Sequence, residues 1–281
     1  MSAPLGTIVI AAHDEEAVIA RTLAHLNDVV EQGLVDVVVV CNGCSDRTAE
    51  VARTFTHVRV RELDRPSKTA ALREGDRLAV PGPRIYLDAD IEMTGRAAVE
   101  TLHALERDVL VGRPPHRYDS TGASWVVHRW YGIRARLPSV AGALWGAGCY
   151  ALSESARARF DEFPEVIGDD LFIDSLFSGH EVTIIDTDPV VVHTPLRLRG
   201  LLLILRRTYR THGQVCPGVG TGRGARGQQL RDLRLLVHQD PRRAPDVAVY
   251  AFVVVLARLR ARLGSSTRWE RDDSSRAGFD R

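Results

Sequence analysis

A chain of 281 residues that is 44% hydrophobic and 26% charged can bury a substantial core, which excludes an intrinsically disordered protein. Four cysteines in that length exclude a disulfide scaffold, and no apolar stretch reaches the roughly 18–20 residues of a membrane-spanning helix. The formal net charge of +1 conceals a division, since residues 197–281 carry 18 Arg against 7 Asp+Glu, a net +11, and the residues before them a net −10.

Thr7 to Ala12 is a β-branched run of the kind a buried parallel strand shows. Ile19, Leu23, Leu26 and Val30 recur at spacings of four, three and four and predict a helix. A second strand over Val35 to Cys41 ends in an Asn42-Gly43 turn, and Ser45 or Asp46 is placed to cap the helix that follows. Val58 to Leu63 reads as a third strand, Lys68 to Leu78 as a helix and Arg84 to Leu87 as a fourth strand. Pro114 to Pro138 is less regular, with Trp125, Trp130 and Tyr131 among scattered His and Arg, and suits either a sugar-stacking wall or a partly buried helix. Trp145 to Tyr150 is Gly-rich enough to bring backbone against a ligand, and a tight turn into a strand explains it equally well. Val182 to Asp186 and Val190 to His193 are strand-like. Six glycines between 213 and 227 suggest a mobile loop, Val247 to Leu263 a last helix, and Ser265 to Arg281 a disordered tail. Strands alternating with helices give an α/β protein with a mostly parallel sheet, whose ligands bind outside the carboxyl ends of the strands.

That edge collects the candidate chemistry. Asp88 and Asp90 lie on one side of an extended backbone as it leaves the fourth strand, and two hard oxygen donors suit Mg²⁺ or Mn²⁺ with positions kept for substrate phosphates. A polar turn after a strand is the bland alternative. No glycine-rich phosphate loop follows the first strand. Asp14, Glu15 and Glu16 stand there instead, and they are expected to cap their helix dipole and to accept hydrogen bonds from a base or ribose. Asn42 and Asp46 offer similar acceptors, while Lys68 faces phosphates and is the only lysine in the chain. Cys41 and Cys44 form a CxxC that a turn explains without a redox role. Asp169 and Asp170 open an apolar helix, either as caps or with one carboxylate in the cleft as a general base. His193 ends a strand as a structural residue or a third metal ligand, and Arg206, Arg207 and Arg210 suit a diphosphate clamp or a membrane interface.

Taken in order, the strand ending AAHDEE, VVVVCNGCSDRTAEVA, PSKTAALREG, LDAD, GAGCYALS and GDDLFID resemble the family 2 glycosyltransferases over about residues 5 to 213. The resemblance implies a GT-A fold, with a catalytic domain over 1–213 divided near 113 into nucleotide-binding and acceptor halves. A basic helical extension would occupy 214–264. It implies an inverting, metal-dependent transfer of sugar from a nucleoside-diphosphate sugar, UDP-sugars favoured, to an acceptor hydroxyl. Ala11, His13 and Glu15 would lie against the nucleobase and ribose, with Asn42 reading the base and Asp46 nearby. Lys68 would approach the base or phosphates, Asp88 ribose or metal, and Asp90 the Mn²⁺ or Mg²⁺. Asp170 would be the base with Asp169 beside it, and His193, Arg206 and Arg207 late metal and diphosphate contacts. Cys41 stands where the family often has Asp, which departs from the pattern for base recognition.

Two other readings share some features. A nucleotidyltransferase would want a basic, Gly-rich loop where AAHDEE stands, and a non-catalytic sugar-binding module would not need Asp169 or Asp170. The scattered Arg form no nucleic-acid motif, so nucleic acid is not an expected partner. The N-terminus lacks a signal pattern, so the expected location is cytoplasmic, with the basic half at the membrane's inner face and an acceptor that is lipid-linked or soluble. The last helix would serve as core, homodimer interface or monotopic anchor.

Overall fold

The computed structural model describes residues 3–165, 168–211 and 221–263. Its contacts divide the chain into two interleaved units, one of residues 1–117 and 144–192, the other of 118–143 and 193–281.

The first unit is built on a seven-stranded sheet. Its strands, in chain order, are β1 (Thr7–Ala12), β2 (Asp36–Asn42), β3 (Arg59–Leu63), β4 (Arg84–Asp88), β5 (Val111–Arg113), β7 (Cys149–Leu152) and β8 (Val182–Ile184), with spatial order β3-β2-β1-β4-β7-β5-β8. β1, β2, β3 and β4 run parallel, whereas β7 lies antiparallel between β4 and β5. The central strands are the β-branched runs because only both-face burial rewards them. Val37 to Val40 and Ile8 to Ile10 are fully buried, each side chain stabilising by roughly 1.5–3 kcal/mol.

Helices cover both faces. Ile19, Leu23, Leu26 and Val30 are all buried as the periodicity requires, but across two short helices, Ile19–Ala24 and Asn27–Glu31, separated by His25 and Leu26. The Lys68–Leu78 helix has the predicted bounds and starts at Ser67, whose hydroxyl accepts the Ala70 N–H at 3.2 Å. The Gly95–Arg107 helix buries Ala97, Ala98, Thr101, Leu102 and Leu105.

Two further strands, β6 (His116–Asp119) and β9 (Val190–His193), pair in a separate sheet, and the boundary between the units falls within each. In the second unit the Trp125–Arg134 helix buries Trp130 and Tyr131 and exposes Trp125. Trp130 stacks on Tyr250 at 5.1 Å, which fixes the Ala244–Leu263 helix against it. The glycine-rich loop is corrected over 221–227. Those residues open the Thr221–Gln239 helix, whose later residue Gln229 donates to the Tyr250 hydroxyl. Positions 212–220 and the predicted tail lie outside the described residues. Among the described residues no helix is long and apolar enough to cross a membrane.

Candidate active site

The carboxyl ends of β1, β2 and β4 deliver three loops to one edge of the first unit, and antiparallel β7 brings a fourth segment to it. Leu87 is the register partner of Cys149, so the residues just before β7 meet those just after β4. The Asp88 N–H accordingly donates to the Gly148 carbonyl at 2.8 Å. Gly148 has φ +64°, and a Cβ there would stand 2.5 Å from Ile91 Cγ1 and 3.1 Å from Asp88 Oδ2. The glycine-rich stretch is therefore a close backbone approach to the carboxylate.

Lys68, at the first position of its helix, reaches into this edge. Its ammonium lies 2.6 Å from Asp88 Oδ1 and 2.9 Å from Asp169 Oδ1. Asp169 is 3% exposed, and its other oxygen accepts the Tyr150 hydroxyl at 2.9 Å. Burial pulls the Lys68 ammonium down, but Asp169 and Asp88 outweigh it and hold the group above its ordinary value. Enclosure pushes Asp88 up, and Lys68 counters that while Asp169 and Asp90 add to it. Burial and the adjoining Asp169 charge push Asp170 up to about 6, against the pull of Lys68 and the Gly146 N–H. That N–H donates to Asp170 Oδ2 at 2.9 Å, and the Leu171 N–H to Oδ1 at 2.8 Å. The two adjacent aspartates thus divide in character, one a buried partner of lysine and tyrosine, the other a weakly acidic group held by backbone.

Tyr150 is the residue the sequence did not single out. Its signal is the register itself, since it pairs across the sheet with Tyr86 and stacks on that ring at 4.9 Å. Tyr86 in turn donates to Asp76 at 2.6 Å. A cleft of about 320 Å³ lined by Arg73, Asp76, Arg84, Arg157 and Glu162 lies at the amino end of β4 and is not this site.

On the β1 and β2 loops the acidic residues serve the neighbouring loop. The expectation that they cap their own helix is corrected, because that helix begins at Ile19 and has no side-chain cap. Asp14 instead accepts the Ser45 N–H at 2.6 Å and Glu16 the Arg47 N–H at 3.0 Å. Asp46 accepts the Glu16 and Thr48 N–H groups at 3.1 and 3.0 Å, and the Thr48 hydroxyl is 2.7 Å from the Glu15 N–H. Asn42 is buried, donating to Ala12 O at 2.8 Å and accepting from the Ser67 N–H at 3.0 Å. It ties three loops together. His13 Nδ1 donates to Asn42 O at 2.7 Å, and Ala11 sits beside Asp88 in the β1–β4 register. Cys41 and Cys44 are free thiols, the first buried and the second half-buried.

Lys68, Asp88, Asp90, Asp169 and Asp170 therefore share one electrostatic cluster, and Ala11, His13, Glu15, Asn42 and Asp46 line the adjoining loops. His193, Arg206 and Arg207 belong to the second unit, where His193 Nδ1 is 3.4 Å from Asp119 and the two arginines lie on the Leu198–Thr211 helix.

A mostly parallel sheet with carboxylates at its carboxyl edge places a ligand site at that edge, and comparison with known proteins gives the family. The model for glycosyl transferase family 2 matches residues 7–151, just over half of the chain. The protein belongs to that family and is a glycosyltransferase of it. Among solved structures, a mannosyltransferase from Pyrobaculum calidifontis, in complex with GDP-Man and Mn²⁺, is 18% identical with a TM-score of 0.56, covering 92% of this chain and 76% of its own. Glucosyl-3-phosphoglycerate synthase from Mycobacterium tuberculosis, in complex with Mn²⁺, UDP and glucosyl-3-phosphoglycerate, is 18% identical with a TM-score of 0.53, covering 75% of this chain and 81% of its own. At that identity the two show a shared fold. A comparison with curated proteins finds no match.

Proposed function

We propose that the protein moves a sugar from a nucleoside-diphosphate sugar to an acceptor hydroxyl by a single inverting displacement, with Asp170 as general base. The observation that carries this reading is Asp170 itself, pushed up to about 6 and held by the Gly146 N–H beside the Lys68, Asp169 and Asp88 cluster. A carboxylate tuned toward neutrality takes a hydroxyl proton more readily than an ordinary one. One displacement needs no enzyme nucleophile.

Asp88 and Asp90 are the residues that would hold Mn²⁺ or Mg²⁺. Their donor set is hard oxygen, and the Lys68 ammonium at 2.6 Å from Asp88 marks a place where positive charge is already stabilised. An ion held there would supply positive charge against that of a departing nucleoside diphosphate. Lys68 then holds one oxygen of Asp169 and orients Asp88, and Tyr150 fixes the second oxygen of Asp169. Glu15 faces the nucleoside, His13 is held by Nδ1 on Asn42 O with Nε2 turned toward Asp14, and Asn42 positions that edge through its loop bonds. His193, Arg206 and Arg207 have no part in this reading, which rests on the first unit. The catalytic part is taken to end near residue 213.

UDP-sugars are the first donors to test, and GDP-sugars the second. The acceptor belongs to polysaccharide, glycolipid or natural-product assembly. A membrane-proximal acceptor is supported by the Ala244–Leu263 helix, where Phe252, Val255 and Leu259 are 64%, 54% and 50% exposed on one face within an arginine-rich half. The deciding measurement is calorimetric titration with UDP and GDP, each with and without Mn²⁺ or Mg²⁺. Metal-dependent binding of one nucleotide is expected, and binding of neither would end the proposal. Donor binding without turnover would favour a non-catalytic module of the same fold.

A further inference from the structure

We propose that the loops after β1 and β2 carry a second cation site, made by His13 Nε2, the Asp14 carboxylate and Cys44 Sγ, for a borderline transition metal such as Zn²⁺. One ligand atom from each of the three lies within 4.8 Å of the others. The ring is already oriented. Because Nδ1 donates to the Asn42 carbonyl at 2.7 Å, the imidazole lone pair sits on Nε2, and a carbonyl on the far nitrogen is the usual outer partner of a metal-bound histidine. Nε2 is 3.7 Å from Asp14 Oδ2. Zn–N and Zn–O bonds of about 2.0–2.2 Å at a tetrahedral angle need donors about 3.4 Å apart, so this pair needs only a small closure.

Asp14 is the one non-glycine residue among those described with positive φ, at 50°. Aspartate tolerates that conformation, and here it turns the carboxylate across to the next loop. Oδ1 is held by the Ser45 N–H at 2.6 Å and faces the Ser45 hydroxyl at 3.2 Å. Cys44 Sγ accepts the Asp14 N–H at 3.4 Å and lies 3.6 Å from Ala12 O. One bond network therefore aims all three donors. The thiolate in this mixed set selects Zn²⁺ or Co²⁺ over the harder Mg²⁺ and Mn²⁺, so this site and the Asp88/Asp90 pair differ in the ion they take. Three protein ligands leave a fourth position for water. On binding, the Cys44 proton passes to solvent as the metal–sulfur bond forms, with no change of oxidation state.

The test is titration of the full chain with Co²⁺ under a non-chelating reductant, followed by Zn²⁺. One equivalent of Co²⁺ should give a thiolate-to-cobalt charge-transfer band with tetrahedral d–d absorption, displaced by one equivalent of Zn²⁺. Cys44→Ser should abolish the band and Asp90→Asn should leave it. His13→Gln should weaken Zn²⁺ binding at least about 100-fold, beyond the 10–100-fold typical of outer-shell partners. Absence of the band, its persistence in Cys44→Ser or its loss in Asp90→Asn would overturn the site. Should Cys44→Ser not fold, unchanged Zn²⁺ affinity in His13→Gln overturns it independently.

Discussion

Asp170 titrates near 6 because burial and Asp169 oppose its ionisation more strongly than Lys68 and the Gly146 N–H favour it. As a base it works only when ionised. kcat/KM should therefore fall about tenfold per pH unit below about 6 and level off above it, and a rate flat from pH 5 to 8 would remove Asp170 from the role. Asp170→Asn should cost at least about 100-fold in turnover while leaving donor affinity within about twofold. The same shift has a stability consequence of opposite sense. A carboxyl raised in the folded state binds its proton more tightly there than in the unfolded chain, so its contribution is lost as pH rises from about 4 through about 6. The amount is at most roughly 3 kcal/mol. In urea melts Asp170→Asn should be more stable than wild type at pH 8 and indistinguishable from it at pH 3.

The paired aspartates were legible as residues because each pair sits where an element begins or ends, Asp88 and Asp90 leaving β4, Asp169 and Asp170 opening a helix. The parallel strands were legible for a related reason, since continuous β-branched runs have few other uses. β7 was harder to read. Its four residues carry no direction of their own, and only the antiparallel insertion between β4 and β5 makes Gly148 a neighbour of Asp88 and Tyr150 a partner of Asp169. Likewise, the break at His25 leaves the apolar spacing of the first helix intact, and the helix over 221–227 overrides a glycine content that locally argues against it. The insertion makes a prediction at its own scale. Gly148→Ala would force an L side chain into positive φ and against Ile91, which should destabilise the protein by about 1–3 kcal/mol. It should also reduce donor binding. Gly142→Ala, where the nearest atom to an added Cβ is 3.5 Å away, is the control and should do neither.

Charge is divided along the chain. The −10 half holds the carboxylate site, and the +11 half contains the helix with the Phe252, Val255 and Leu259 stripe. The 281-residue chain should sediment with anionic vesicles and not with neutral ones, and should be released by high salt. Phe252→Glu with Leu259→Glu should weaken that binding at least about tenfold, because losing one buried apolar side chain already costs about 1.5 kcal/mol. Equal binding by the double variant would show that the stripe faces something else, and a dimer that dissociates in the variant would name it.

Lys68 has one more consequence, which follows from its being the only lysine in 281 residues. Apart from the α-amino terminus, the chain offers amine-directed chemistry a single target, and that target is clasped by two carboxylates in the centre of the candidate site. Acylation or reductive methylation, harmless surface labelling for most proteins, becomes a site-specific event here. The rate at which that one nitrogen is modified is a built-in gauge of whether Asp88 and Asp169 are holding it or have been drawn to another cation.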